Sequence, residues 1–485
     1  MFVSETNDNH KIYYTGKYWN DYPECLSILN QRLFKEDIDW ISYLKKQNLI
    51  NFEHALILNC GNGWVERDLY DRGIIKKATC VEYSIDLVNQ CNENKKNRNL
   101  TYICHDMNTI DFEENIFDVV INFAACHHIR YIEKVCINIL KWLKEDGYFI
   151  HNDYIGPQRN QYTSSQWEEM NRINNRLNEK IKKKLIYPHV KTMMIDDPTE
   201  AINPGEIIPT INDLFTVISH TKSGGAVAYE ILTHNDSLYN HNKKEREEIV
   251  VMIMEEDRKY MEKTGESFFH FIISQNNKKI ENHTIENLLN KMNRRELLAD
   301  KSLGHYSYNY LELDKELFLF NSSYINSILI EGFYDQEQGY GTWSQGKKSI
   351  VRFKFDEYEN KILQICVNNI YDINFNIEVN GQKTINYNFI NDNQNKIIEI
   401  DLIEKDSLLI FNYENVQSPK KLGLNNDDRE LGLLFRCMKV VDKNYGKKNV
   451  WEPNLTVLKG RKNKKNYIIF LFIMFFLIRI RINKK

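Results

Sequence analysis

Between residues 53 and 153 short apolar runs alternate with stretches of helical period. The strand-like runs are 54–59 (HALILN), 77–83 (KATCVEY), 100–105 (LTYICH), 117–123 (FDVVINF) and 147–153 (GYFIHND). The clearest helix between them is YIEKVCINILKWLK. Its Ile132, Val135, Cys136, Ile139, Leu140 and Leu143 recur three and four residues apart, on one face. Nearly continuous apolar strands separated by helices predict a parallel sheet covered on both sides, a doubly wound α/β domain. Two further runs, 214–220 (LFTVISH) and 267–274 (SFFHFIIS), predict strands separated by a polar, partly helical insertion. Residues 276–302 read as a charged linker helix. From 303 to 445 the period becomes two. SIVRFKF places Val351, Phe353 and Phe355 on one face and Arg352 and Lys354 on the other. FNIEVNGQKTINYNF is a hairpin around Asn380-Gly381, and IIEIDLI and SLLIFNY continue an antiparallel β-sandwich. The predicted order is thus an α/β domain over 1–275, a linker over 276–302, a sandwich over 303–445 and a tail over 446–485.

Composition changes this picture little. With a formal net charge of -3 over 485 residues, the chain lacks the basic footprint of a nucleic-acid binder, and no nucleic-acid partner is expected. The nine cysteines include no Cys-x-x-Cys and mostly fall in apolar runs; they read as reduced core residues of a cytoplasmic protein. No metal site is read from the spacing. The polar N-terminus has no apolar signal-like region. At the other end, Tyr467–Ile478 is an apolar run flanked by basic residues, short of the roughly 20 residues a spanning helix needs. It reads either as an anchor at the inner membrane face or as a disordered, dispensable tail.

The chemistry is expected where the first strand ends. Asn59-Cys60-Gly61-Asn62-Gly63 is a glycine turn that opens a helix and presents backbone N–H groups to a ligand. Gly61 and Gly63 permit close approach, and Asn59 tolerates a left-handed backbone. Glu82, closing the second strand ahead of Tyr83, is placed to hold ribose hydroxyls, and Asp106-Met107 follow the third strand where a carboxylate meets an adenine amino group. A dinucleotide fingerprint would want a third glycine where Glu66 stands, and a carboxylate there repels a pyrophosphate. A sulfonium-bearing ligand meets no such objection. These residues resemble the class I S-adenosylmethionine-dependent methyltransferases, a Rossmann-like fold, and more closely a bacterial subgroup carrying CGNGWxER, HHI and DPxEA-type motifs. The resemblance covers roughly residues 10–275. It implies S-adenosylmethionine as cofactor, held by Asn59 to Gly63, Glu82, Tyr83, Asp106 and Met107, with Phe123 and Ala124 at the end of the fourth strand. Two positions depart from the pattern: Ile57 stands where the family has an acid, and Asn59 where it has a glycine. The cofactor's amino-acid end is then expected on Glu66 or on backbone carbonyls.

On the acceptor side, His127 and His128 follow the fourth strand, and one of them is the expected general base; a helix-capping or loop role is the alternative. Asp153 after the fifth strand is read as base or orienting acid, Tyr154 as a substrate contact, and Arg159 as a binder of an anionic substrate or a loop stabiliser. The aromatics Tyr13, Tyr14, Tyr18 and Trp19 form a lid or the packed face of an N-terminal helix. In the sandwich, Gly332, Glu337, Trp343, Ser418, Pro419, Leu422, Gly423, Asp427, Arg429, Leu431 and Gly432 resemble the signature of a module found beside bacterial glycosyltransferases. That company implies a sugar, glycan or other small-molecule acceptor in surface-polysaccharide synthesis. The competing expectations are methylation of a small acidic metabolite and a non-catalytic glycan-binding scaffold with a decayed cofactor site.

Overall fold

The computed structural model describes residues 17–277, 279–302, 304, 306, 311, 313–314, 316–319, 325, 328–335, 341–392 and 394–443. Tyr13, Tyr14, Glu337 and the apolar tail lie outside these residues. Among the described residues no helix is long and apolar enough to cross a membrane.

The first half is built on a seven-stranded sheet. Its strands are β1 (Ala55–Leu58), β2 (Ala78–Glu82), β3 (Leu100–Cys104), β4 (Phe117–Phe123), β5 (Leu143–Tyr154), β6 (Phe215–Gly224) and β7 (Phe269–Asn276). They lie in the order β3-β2-β1-β4-β5-β7-β6. The first five pair in parallel, while β7 runs antiparallel to both β5 and β6. The expected Rossmann-like sheet is therefore present, with the strand order switching sides between β1 and β4. The four residues of β1 are all buried, because helices cover both faces and leave no polar side. Leu58 pairs with Asn122, and Asn122 with His151. That register lines up the carboxyl ends of three central strands, so Asn59, Phe123 and Asp153 emerge along one edge. All the cysteines are buried except Cys104, which is exposed at the end of β3.

Over this edge sits a helical cap. The N-terminal helix Pro23–Phe34 and the helices Ser164–Asn174, Ala228–Leu232 and Lys243–Thr264 share an apolar core with Trp19, Tyr22, Tyr154 and Phe268.

The second half is the expected antiparallel sandwich. One sheet runs β10 (Thr342–Gln345), β17 (Leu431–Asp442), β12 (Lys361–Asn368), β15 (Lys396–Asp401), with β8 (Leu317–Phe318) also on β17. The other runs β14 (Lys383–Phe389), β13 (Ile373–Val379), β16 (Asp406–Tyr413), β11 (Lys348–Lys354), β9 (Leu329–Glu331). Phe353, Phe375, Phe411 and Phe435 fill the space between the two sheets. Asn380 and Gly381 both take positive φ and close the β13–β14 hairpin where the sequence placed it.

The polar face of β11 turns toward the first half of the chain. Arg352 is fully buried, pairing with Asp406 and donating to Ser302 Oγ, and Lys354 donates to Gln158 Oε1 at 2.8 Å. Ile350, Leu408 and Ile410 on the same face pack with Val190 and Ile202, which flank a loop over the sheet edge. The helix Asn282–Lys301 is wedged between the two halves, its Arg295 bonded to the buried Glu133 through both carboxylate oxygens.

Candidate active site

The glycine turn takes the conformation its residues favour. Asn59, Gly61 and Gly63 all have positive φ, and the helix Trp64–Asp71 starts directly behind them. Glu82 is drawn to this turn: its carboxylate accepts the Gly61 amide at 2.9 Å and the Ser84 amide at 2.9 Å. The two contacts fix a carboxylate at the carboxyl end of β2 beside the turn. Tyr83 is 69% exposed and Trp64 44% exposed at the same rim, and Trp64 meets Phe123 edge to face at 5.3 Å. Ala124 also has a left-handed backbone, a conformation costly for a residue with a Cβ and concentrated at functional sites. Asn59 donates from its side-chain amide to the Ala125 carbonyl at 3.4 Å, tying the turn to the loop after β4. Glu82, the left-handed turn and the exposed aromatic rim fit an adenosyl ligand.

Several assignments change once the side chains are placed. Cys60 and Met107 are buried in the core, so only their backbones border the crevice. Asp106 accepts from the Asn108 amide and side chain, both at 2.8 Å, and so shapes its own turn as well as bordering the crevice. Gly63 is required from below: a Cβ there would stand 2.7 Å from Arg67 and Glu66 and 2.8 Å from Cys91. Glu66 is fully buried under the turn, and burial pushes it up to about 7. It therefore does not face the crevice to receive the amino-acid end of a cofactor. Ile57 is likewise core.

Beside the turn, a hydrogen-bonded network reaches from the sheet interior to the surface. Asn122, buried on β4, donates to His151 Nδ1 at 2.8 Å and to Asp153 Oδ2 at 2.9 Å, and accepts the Cys126 amide at 2.8 Å. Asp153 also receives the amides of Ala125, His127 and Tyr154, and its Oδ1 lies 2.6 Å from His127 Nδ1. Burial alone would raise this carboxyl, but the His127 imidazole outweighs it and holds Asp153 far below the usual carboxylate range. For His127 burial works downward, and Asp153 and then Glu200 overcome it, pushing the imidazole up to about 10. Burial pushes His151 down to about 4. Asp153 is 1% exposed and enclosed by these donors, so of its two expected roles the geometry fits that of orienting His127.

Beyond His127, the edge opens. His128 stands against it, ring centroids 4.1 Å apart, and is held below its ordinary value by burial and by the neighbouring His127 charge. Glu200, on the loop that follows the helix Val190–Asp196, brings one carboxylate oxygen to 3.7 Å from His127 Nε2 and 3.6 Å from His128 Nε2. Burial opposes its charge, yet His127, His128 and Arg159 pull it down to about 2. Tyr18 is pushed up to about 12 by burial and then by the Glu200 charge.

Tyr154 and Arg159, the residues read as substrate contacts, are both spent inside the protein. The Tyr154 hydroxyl donates to the Pro157 carbonyl, and its ring packs against His127, Phe268 and Phe269. Arg159 is 2% exposed and donates to the carbonyls of Asp197, Pro198 and Glu200, at 3.1, 2.5 and 2.8 Å. It is the loop stabiliser of the two roles considered, and the loop it stabilises carries Glu200. Trp19 is buried against Phe269 and Tyr229, as part of the cap's packed face. Asn122, His151 and Glu200 were not picked out in the sequence. Asn122 could have been found as the one amide in an apolar strand run; Glu200 sits in the DPTEA stretch, where nothing marks which residue turns inward.

Residues 56–151 match a family model described as a methyltransferase domain. Residues 56–151 thus carry a methyltransferase domain. No curated protein matches the chain. Among solved structures, an S-adenosylmethionine-dependent methyltransferase from Mesorhizobium loti is 11% identical, covering 48% of this chain and 96% of its own, with a TM-score of 0.31. Geranyl diphosphate C-methyltransferase from Streptomyces coelicolor, with Mg2+, geranyl diphosphate and S-adenosylhomocysteine, is 10% identical, covering 49% and 79%, with a TM-score of 0.33. At such scores the methyl acceptor has to be read from the site itself. The matched stretch contains the Gly61–Glu82 contact and His127, while Glu200 lies outside it.

Proposed function

We propose that the chain is an O-methyltransferase acting on a hydroxyl of a sugar or glycan precursor in bacterial surface-polysaccharide synthesis. The observation that carries the hydroxyl reading is the convergence of His127, His128 and Glu200 beside the cofactor crevice. S-adenosylmethionine, when bound, supplies an activated methyl group on a sulfonium. The chain then has to orient the acceptor oxygen in line and take up its proton. Asp153 and Glu200 hold His127 as an imidazolium, Arg159 positions Glu200, and His128, held below its ordinary value by burial and by His127, presents the Nε2 that takes the proton.

The sugar part of the reading is supported by the resemblance of the sandwich to modules that accompany glycan enzymes, an association rather than a contact. The sandwich residues that carried that resemblance have internal partners: Arg429 clamps Asp427 and lies over Tyr334, and Trp343 packs with Leu431 and Leu434. The reading of a small acidic acceptor loses its anchor, because Arg159 is committed to backbone carbonyls. A cytoplasmic setting, with the tail contacting the inner membrane face, completes the proposal.

The test is methyl transfer from labelled S-adenosylmethionine to a panel of sugar nucleotides and lipid-linked saccharides. Asp153→Asn should keep cofactor affinity and lose roughly a hundredfold or more in turnover. A variant as active as the parent would remove the acceptor network from the reaction, and label found only in carboxylate esters would favour the acidic-metabolite reading.

A further inference from the structure

His127 and His128 each have one ring nitrogen already committed. His127 Nδ1 faces Asp153 at 2.6 Å. His128 Nδ1 lies 3.1 Å from Thr199 Oγ1, and that hydroxyl donates in turn to Asp197 Oδ1 at 2.8 Å. Since the Thr199 proton goes to a carboxylate, Thr199 can only accept from His128, which places the His128 proton on Nδ1. Both Nδ1 atoms are donors, and the Nε2 atoms of both rings turn toward the same place, that of His128 as a lone pair. Glu200 presents a carboxylate oxygen there, an acceptor as well. His128 Nε2 and the Glu200 oxygen are thus two acceptors 3.6 Å apart with no donor between them. A proton on His127 Nε2 pairs that ring with Glu200, but His128 Nε2 still faces the same oxygen bare, and a cation at this place would take over the charge of the proton it displaces.

The spacing suits something larger than a proton. Ligand atoms about 2.1 Å from a tetrahedral ion stand about 3.4 Å apart. The observed separations are 3.7 and 3.6 Å, and the three ligand atoms all lie within 4.8 Å of one another. Each ligand is also braced from behind as metal ligands are, His127 by a carboxylate, His128 by a hydroxyl chain and Glu200 by the Arg159 clamp on its own carbonyl. The cluster is open on one side, with His128 29% and Glu200 22% exposed, leaving room for a further ligand.

We propose that His127 Nε2, His128 Nε2 and the Glu200 carboxylate bind a divalent transition-metal cation, with the remaining coordination position facing the acceptor. Two imidazoles and one carboxylate suit zinc, cobalt, iron(II) or manganese(II) rather than calcium or magnesium. The binding site stands on these contacts alone; its use rests on the O-methyltransferase reading, in which a bound cation would hold the acceptor oxygen and let its proton pass to solvent, in place of uptake by His128. A metal is an addition to what the sequence suggested.

The full chain, stripped with a chelator, is titrated with Co2+ followed by visible absorption and with Zn2+ by calorimetry. A single equivalent should bind with ligand-field bands of a four- or five-coordinate ion. Glu200→Gln and His128→Ala, each checked for an unchanged circular dichroism spectrum, should weaken binding at least a hundredfold, and Asp153→Asn about 10–100-fold. No binding at millimolar metal overturns the proposal. So does binding that survives Glu200→Gln and His128→Ala but disappears in Cys91→Ser, which would put the ion on Cys60, Glu66 and Cys91 instead. S-adenosylmethionine titrated into the same samples separates the two claims. Metal without cofactor binding leaves the cation site and removes methyl transfer; cofactor binding without metal removes the cation site alone.

Discussion

Glu66 lies beneath the glycine turn among Cys60, Cys80, Cys91 and Tyr102, and burial, only partly offset by Tyr102 and the Arg67 charge, raises its carboxyl to about 7. Its ordinary value is 4.5, so between those two pH values the folded chain holds a proton that the unfolded chain has released. Stability from this group falls as pH rises from about 4.5 to 7 and is flat above. Glu66→Gln should remove that slope and raise stability at pH 8 by up to about 3 kcal/mol, seen in thermal melts from pH 4.5 to 8. An unchanged slope would mean that Glu66 is ionised or hydrated in place. At this scale the sequence was legible in the backbone of the turn and in the strand-end carboxylate that binds it. The turn at Asn59–Gly63 and Glu82 needed only strand–turn–helix spacing. It was not legible where the decision is which way a side chain points: Glu66, Met107 and Tyr154 were read as facing ligands and face the core.

The loop between the helix Val190–Asp196 and the helix Ile207–Leu214 is the element on which the acceptor end depends. It has little regular structure of its own, and its shape comes from side chains that satisfy its backbone. Arg159 binds three of its carbonyls, Gln158 donates to the Ile202 carbonyl and to Asn203 Oδ1, and Asp197 accepts the amides of Thr199 and Glu200. Arg159→Ala should release Glu200 from the histidines while leaving the glycine turn untouched. We expect turnover to fall about a hundredfold, as for a misplacement of about 1 Å, with the dissociation constant for S-adenosylhomocysteine unchanged. Loss of cofactor affinity instead would mean that the loop shapes the cofactor crevice too. Regular elements such as the β13–β14 hairpin or the helix Ile132–Trp142 announce themselves by period and turn residues. This loop has no period, because residues distant in sequence hold it.

At the scale of the whole molecule, the sandwich and the methyltransferase domain are joined by buried charge as well as apolar surface. Arg295 on the connecting helix and Glu133 are 7% and 0% exposed at their side chains, and Lys354 of the sandwich reaches Gln158 beside the Arg159 clamp. Removing one partner of a buried pair leaves the other uncompensated, at about 3–5 kcal/mol. Arg295→Met should therefore destabilise the chain by about that much in urea, whereas the double change Arg295→Met with Glu133→Leu should recover most of it. Equal losses in both variants would mean that the pair contributes net stability. The alternation that distinguished two domains in the sequence was enough to predict both folds, but not their docking, since a polar strand face reads the same whether it meets solvent or a second domain. The account as a whole stands on the cofactor end of the sheet edge. The measurement that tests it most directly is calorimetric titration of the full chain and of Glu82→Ala with S-adenosylmethionine and S-adenosylhomocysteine. The account predicts micromolar binding of both ligands, lost on Glu82→Ala without loss of fold. No binding to a folded chain, or binding indifferent to Glu82, would contradict it.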